Sequence, residues 1–138
     1  MTTIKSRTAE ALAPMLSAFH SIGDRPLRAV WHVYTEGSLD KLIFNFGQIS
    51  LIVTADENDD SIDIAAAGTT EPPHVVGVDK SQLHPWNNII GKPFGWGWVT
   101  VNQQGYCDGL LLGFGGIFPQ IVLNVIASSI KVGVISGP

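Results

Sequence analysis

Apolar and polar residues alternate along most of the chain from residue 27 onward. A period of two is the spacing of a β-strand that buries one face. The pattern predicts four strands separated by turns over residues 27–66, and four more over residues 93–135. In the second strand, for example, Leu42, Phe44 and Phe46 share one face. The sequence therefore predicts two antiparallel meanders.

Residues 8–22 follow a different, helical spacing. The apolar positions of this segment are Ala9, Leu12, Leu16, Phe19 and Ile22. Thr8 is suited to begin such a helix and Gly23 to end it, although Pro14 favours a later start, near Ala13. We expect an amphipathic helix that covers a sheet, and the alternative is a helix that binds a partner.

Residues 67–92 interrupt the strand pattern between the two meanders. Consecutive prolines at 72 and 73 cannot continue a sheet, and loops of this length are often functional. A short helical turn is predicted near Trp86, with Pro85 at its first position and Gly91 at its end.

The two meanders also resemble each other in sequence. Several residues recur with a spacing of 68: Gly37 with Gly105, Asp40 with Asp108, Leu42 with Leu110, Phe46 with Phe114, and Gly47 with Gly115. We therefore predict an internal repeat and an α+β fold, mainly antiparallel β, that forms a pseudo-symmetric sandwich or a closed barrel. The matched aspartates precede a predicted strand, where each would bond backbone N–H groups of a turn.

Composition limits the function classes that this chain of 138 residues can belong to. The length fits one domain, and the charged fraction of 14% is well below the usual value of about 25%. A net charge of -4 without any cluster of Lys and Arg argues against nucleic-acid binding. The low charge and apolar strands suggest a homodimer. One cysteine permits no internal disulfide, which fits a cytoplasmic protein.

Two segments bear on membrane targeting. The first residues lack the continuous apolar stretch of a signal peptide, since Glu10, Pro14 and His20 interrupt it. Residues 109–130 carry no charge and are long enough to span a bilayer. Glycines and a proline in the middle of this segment instead favour two buried strands joined by a turn, so no membrane association is expected.

No established catalytic or metal-binding motif is found. The acidic turn at residues 56–60 starts like a calcium loop, but Ser61 and Ala67 occupy the positions of the required glycine and glutamate. Cys107 has no base nearby in sequence, and the histidines lack ligand spacing. We expect no catalytic residue, no metal and no cofactor, and a non-enzymatic role is favoured while enzymatic activity stays open.

The best candidate site follows Pro93. Alternation places Trp96, Trp98, Thr100 and Asn102 on one face of a strand, so an apolar wall leads to a rim of amides. The candidate ligand- or partner-binding residues are Trp86, Trp96, Trp98, Asn102, Gln103, Gln104, Tyr106 and Asp108. In the alternative interpretation the two indoles at 96 and 98 simply fill the core.

The motif Trp96-x-Trp98 followed by Asn102-Gln-Gln-Gly-Tyr-x-Asp108 resembles a family of small uncharacterised bacterial proteins. This resemblance implies no activity, and small acidic proteins of this kind are often similar to immunity proteins encoded beside toxins. The leading hypothesis is therefore a bacterial cytoplasmic binding protein of the immunity type with a basic protein partner. The alternative is a small-ligand-binding barrel, or an enzyme, with a pocket lined by Trp96 and Trp98.

Overall fold

The computed structural model describes residues 3–56, 58–68 and 77–135, with side chains from Leu12 onward. Within these ranges there are one α-helix, nine β-strands and a 3₁₀ turn: α1 (Thr3–Ile22), β1 (Ala29–Thr35), β2 (Ser38–Asn45), β3 (Ile49–Asp56), β4 (Ser61–Gly68), β5 (Gly77–Asp79), the turn (Trp86–Asn88), β6 (Phe94–Val101), β7 (Cys107–Phe114), β8 (Ile121–Ile126) and β9 (Ser129–Val134).

The strands form two antiparallel sheets. The first has the order β4-β3-β2-β1-β5 and the second β6-β7-β8-β9. The sheets face each other, with β2 against β9 and β4 against β7. The predicted α+β fold with two meanders is confirmed, and the two separate sheets make it a sandwich and not a closed barrel. The first sheet has a fifth strand, β5, which the sequence pattern does not predict.

The inward-facing residues of both sheets pack into one continuous core. Four phenylalanines hold the middle of one side together, because Phe94 lies 5.7 Å from the ring of Phe19, 6.0 Å from that of Phe46 and 5.6 Å from that of Phe114. Aromatic rings at these separations add dispersion and quadrupole attraction to the hydrophobic effect. The alternation of the strands thus places their largest side chains between the sheets.

The two meanders share their register. Leu42 of β2 pairs with Val53 of β3, and the matching residue Leu110 of β7 pairs with Leu123 of β8. Each meander has a register shift at a matching place, which leaves Asp40 unpaired in β2 and Asp108 unpaired in β7. The second meander has another shift, between Phe94 and Trp96. The predicted turn role of these aspartates is wrong in its details, because both lie inside a strand and accept hydrogen bonds from side chains.

Contacts between the two halves also come in matched pairs. The N–H of Leu27 donates to the carbonyl of Lys92, and the N–H of Phe94 donates to the carbonyl of Arg25, both at 3.0 Å. Arg25-Pro26-Leu27 and Lys92-Pro93-Phe94 are the segments that lead into the two meanders. Exchanging the two segments therefore reproduces these bonds.

Helix α1 closes one open side of the sandwich. It packs against β4 and β6, which are edge strands of the two sheets. The ring of Phe19 lies directly over Gly97, where any Cβ atom would come within 2.5 Å of it. The helix begins at Thr3, earlier than predicted, and it contains Pro14 in its interior. Its predicted role as a cover for the sheets agrees with this position.

Residues 80–91 close the opposite side, next to β1. The N–H of Lys80 donates to the carbonyl of Val30 at 2.9 Å, and the N–H of Gly91 donates to the carbonyl of Leu27 at 2.7 Å. Pro85 directly precedes the 3₁₀ turn, and Gly91 follows it with a positive φ of 88°. Residues 69–76, which include the two prolines of the predicted loop, lie outside the described residues.

The uncharged segment 109–130 contributes to β7, β8 and β9. Within the described part of the chain, no helix has both the length and the apolar character needed to cross a membrane.

Candidate functional site

Trp96 and Trp98 lie on the outer face of the second sheet. Their rings stack with centroids 6.3 Å apart, and the side chain of Trp96 is 54% exposed. The glycine between them, Gly97, faces α1, because the ring of Phe19 packs directly against it. Because Trp96 is exposed, the interpretation in which both indoles fill the core does not hold.

A groove of about 440 Å³ runs between α1 and β6 beside Trp96. Its large apolar lining residues are Leu16, Phe19, Phe94 and Trp96, and Trp98 does not line it. On the other side of Trp96, the carbonyl of Phe118 lies over Gly113, which is the cross-strand partner of Trp96. We call the exposed and half-exposed apolar residues of this region the aromatic surface: Leu16, Trp96, Trp98, Ile117 and Phe118.

The predicted polar rim is largely occupied by its own hydrogen bonds. Asp108 accepts from the hydroxyl of Thr100 at 3.4 Å and from the amide of Asn102 at 3.2 Å. The side-chain oxygen of Asn102 accepts from the N–H of Gln104 at 2.8 Å. Asn102 and Asp108 therefore shape the turn. The side chains of Gln103 and Gln104 are exposed, and Tyr106 is half-buried.

Trp86 lies on the other side of the sandwich, away from this rim. It is almost fully buried, and its ring packs edge-on against Phe44 at 5.5 Å. Its indole N–H donates to Nε2 of His32 at 2.9 Å. The structure thus separates Trp86 from Trp96 and Trp98, with which the sequence analysis grouped it.

His32 belongs to a hydrogen-bonded chain that the sequence analysis missed. Because Nε2 accepts from Trp86, the ring proton resides on Nδ1, which donates to the hydroxyl of Tyr34 at 3.2 Å. Burial, and secondly the charge of Lys80, lower the pKa of His32 from 6.5 to about 4. The imidazole is therefore neutral at pH 7.

A cavity of about 380 Å³ opens beside Tyr34, at the end of this chain of hydrogen bonds. We call it the His32 cavity, and the described residues that line it are His32, Tyr34, Lys80, Leu83, His84, Pro85, Trp86, Val132, Gly133 and Val134. One sequence signal could have indicated it: His32 and Tyr34 stand at inward-facing positions of β1, where the alternation calls for apolar side chains.

Two further features are a large acidic cavity and a buried cysteine. A cavity of about 610 Å³ at the turns around Asp40 and Asp56 is acidic, yet among the described residues no cluster of His, Cys, Asp or Glu could hold a metal ion. Cys107 is buried, and burial together with Asp108 raises the pKa of its thiol, so the thiol stays protonated.

The two facing sheets and the covering helix define a small α+β sandwich. The aromatic surface lies on the outside of this sandwich. The chain belongs to DUF6334, a family of unknown function, whose model matches residues 14–137. The resemblance to a family without an assigned activity is thus confirmed. Searches of the curated proteins and of the solved structures found no match.

Proposed function

We propose that the protein is a non-enzymatic binding protein that docks a protein partner on the aromatic surface. The observation that carries this proposal is the 54% exposure of Trp96 in a region that also exposes Leu16, Ile117 and Phe118. Tryptophan is enriched among the residues that dominate binding energies, and contiguous apolar patches mark interaction sites. The exposed amides of Gln103 and Gln104 supply a polar rim at the far end of the strand.

The energy available at this surface is substantial. A tryptophan buries up to about 250 Å² when it is fully covered, so covering the exposed half of Trp96 contributes about 3 kcal/mol at 25 cal/mol per Å². The groove between α1 and β6 offers an adjoining concave surface for an apolar side chain of the partner. A single anchor of this kind commonly dominates an interface.

In the narrower form of the proposal, the protein acts in the bacterial cytoplasm as an immunity-type partner of a toxin. Two features support it: a net charge of -4, which attracts a basic partner, and a single cysteine, which suits a reducing compartment. Nucleic acid is not included as a partner, because the sequence has no basic cluster. A membrane is not included, because the uncharged segment 109–130 contributes to β7, β8 and β9.

The test is co-expression with the product of each adjoining gene, followed by chromatography and calorimetry of any complex. We expect Trp96→Ala to weaken the complex by about 100-fold, which corresponds to the loss of about 3 kcal/mol. Ile126→Ala is the matched control, because Ile126 is 57% exposed at the opposite end of the sheet. Failure of every neighbouring product to bind, or wild-type affinity of Trp96→Ala, would remove the proposal.

A homodimer is a second way to cover the same surface, and we propose it as the alternative assembly. An interface formed through the outer sheet face or α1 would bury Trp96 against a second copy. Light scattering at high micromolar concentration distinguishes the cases. A dimer that Trp96→Ala dissociates supports this alternative, and a monomer under these conditions excludes it.

A small ligand in the groove is the remaining candidate, favoured by the size and apolar lining of the groove beside Trp96. It differs from the hypothesis of a pocket lined by both tryptophans, since Trp98 stacks behind Trp96 and does not line the groove. Saturable quenching of tryptophan fluorescence by a small apolar compound, abolished in Leu16→Trp, would support it.

We also infer that the two meanders are an internal repeat. The shared register, the matched bulges and the paired bonds between the segments that lead into the meanders support it. A further contact joins matching turns, because the N–H of Ser128 donates to Oδ1 of Asp60 at 2.8 Å and both residues have a positive φ. In an arrangement with a pseudo-twofold axis, contacts between equivalent positions are expected where the axis passes.

A further inference from the structure

We propose that the His32 cavity binds a small organic carboxylate. The carboxylate group meets the ammonium of Lys80 and the hydroxyl of Tyr34, and the organic part lies against Leu83 and Val134. This site shares no residue with the aromatic surface, so the proposal is independent of the proposed function.

The hydrogen-bonded chain directs a donor into the cavity. Trp86 donates to His32, and His32 donates to the oxygen of Tyr34, so every bond runs in the same direction. The phenolic proton of Tyr34 is then left to donate elsewhere, and this side chain is 37% exposed at the cavity. Successive hydrogen bonds that run in the same direction polarise each other, which strengthens the hydroxyl of Tyr34 as a donor. A hydrogen-bond acceptor is the matching ligand group.

The charges around the cavity favour an anion. Lys80 lines it and makes no ion pair within the described part of the chain. No described carboxylate lines it, and the neighbouring Asp79 is engaged by Ser81, whose N–H and hydroxyl donate to it at 2.9 and 2.6 Å. Lysine is a point charge that pairs readily with a carboxylate in a partly desolvated site.

The apolar lining indicates an organic anion. Leu83 and Val134 lie at the cavity with about half of each side chain exposed, and Pro85 and Val132 extend the same wall. Ligand cavities of a few hundred Å³ with apolar walls and a few convergent polar groups are the usual form of small-molecule sites. An inorganic anion would leave this wall uncovered.

The other half of the molecule shows that the fold does not need these polar groups. By register, His32 opposite Leu42 corresponds to Val99 opposite Leu110. Tyr34 similarly corresponds to Val101, which follows the same pairing across the bulge. A purely structural role, in which His32 accepts the hydrogen bond of the buried Trp86 indole, explains the presence of His32. It does not explain why Tyr34 and Lys80 lie at the same cavity.

The arrangement is suited to binding and not to proton transfer. Both ring nitrogens of His32 are engaged, one as acceptor and one as donor. A general base needs a free lone pair within reach of the substrate. Here the imidazole fixes the direction of the chain, so His32 is a positioning residue and Tyr34 and Lys80 are the residues that touch the ligand.

The experiment is a titration of the ¹⁵N-labelled protein with benzoate and with hexanoate, followed by NMR. The indole N–H signal of Trp86, identified by its loss in Trp86→Phe, reports on the cavity because it is bonded to His32. We expect a saturable shift with a millimolar dissociation constant. Tyr34→Phe and Lys80→Met should each weaken binding by about tenfold, as removal of a hydrogen bond to a charged group does.

Two controls make the result specific. Benzamide has nearly the shape of benzoate without its charge, and it should bind about tenfold more weakly. Lys41→Met removes a lysine from β2 that does not line the cavity, and it should bind benzoate like the wild type. The proposal is overturned if neither carboxylate gives a saturable shift up to about 50 mM. It is equally overturned if benzamide matches benzoate, or if both Tyr34→Phe and Lys80→Met, with wild-type dispersion in their spectra, retain full affinity.

Discussion

The neutral state of His32 makes a quantitative prediction about stability at acidic pH. The pKa of this histidine is about 4 in the folded protein, against 6.5 in the unfolded chain. Between these two values the unfolded chain binds a proton that the folded protein does not. The free energy of unfolding therefore falls as the pH is lowered from 6.5 to 4, and it does not depend on His32 at higher pH.

The magnitude follows from the shift. A difference of one pKa unit corresponds to about 1.4 kcal/mol, so full protonation of His32 costs the folded state about 3 kcal/mol, of which about 2 kcal/mol is lost at pH 5. The physical cause is that an imidazolium ion would be only 8% exposed and would lose its bond from Trp86, since a protonated ring has no acceptor. This loss is a measurable fraction of the free energy of unfolding of an ordinary protein, which is about 5–15 kcal/mol.

Urea unfolding at pH values from 7 to 4, followed by tryptophan fluorescence, measures the effect. His32→Gln retains an acceptor for Trp86 but does not titrate, so its stability relative to the wild type should rise by about 3 kcal/mol across this range. The carboxylates titrate equally in both proteins and cancel. His20→Gln, at an exposed position of α1, is the matched control. Parallel curves for the wild type and His32→Gln, or an NMR titration of His32 near pH 6.5, would refute the reasoning.

Two further predictions concern glycines. Gly105 has a φ of 93°, so Gly105→Ala should lower the free energy of unfolding by about 1 kcal/mol or more. Gln103→Ala and Gln104→Ala should each change it by no more than about half a kcal/mol. Equal losses of stability in the thermal melts of all three variants would show that the glutamines are structural. Gly97→Ala would place its Cβ 2.5 Å from the ring of Phe19, so it should lower the free energy of unfolding in urea by about 1–3 kcal/mol. An unchanged urea midpoint would contradict the described packing of α1.

Strand positions were predictable because the alternation of apolar residues is a local signal. Residues such as Leu42 and Phe44 face inward wherever the strand is placed in a two-layer fold. The start of α1 was predicted too late because Pro14 removes only one backbone bond from a long helix, and packing against two strands outweighs that loss. The three residues of β5 are too few to produce a pattern.

The candidate site was harder to predict because it depends on which segments meet across the sandwich. The stacking of Trp96 on Trp98 follows from their alternation on one strand. Trp86, by contrast, is about fifty residues away from His32 in sequence, and no local pattern shows that they touch. The unusual feature that sequence alone does display is a histidine and a tyrosine at inward-facing positions of β1.

The internal repeat proposed above has a consequence for how new sites can arise in such a fold. A dimer of identical chains must present the same side chains in both of its openings, because every residue occurs twice. Two halves within one chain are free of that constraint. Here one opening is filled by α1, with the ring of Phe19 over Gly97, and the other by the segment that connects the halves. One opening is thereby covered by a helix that leaves only a groove beside Trp96, while its counterpart has a histidine, a tyrosine and a lysine without any change to the first.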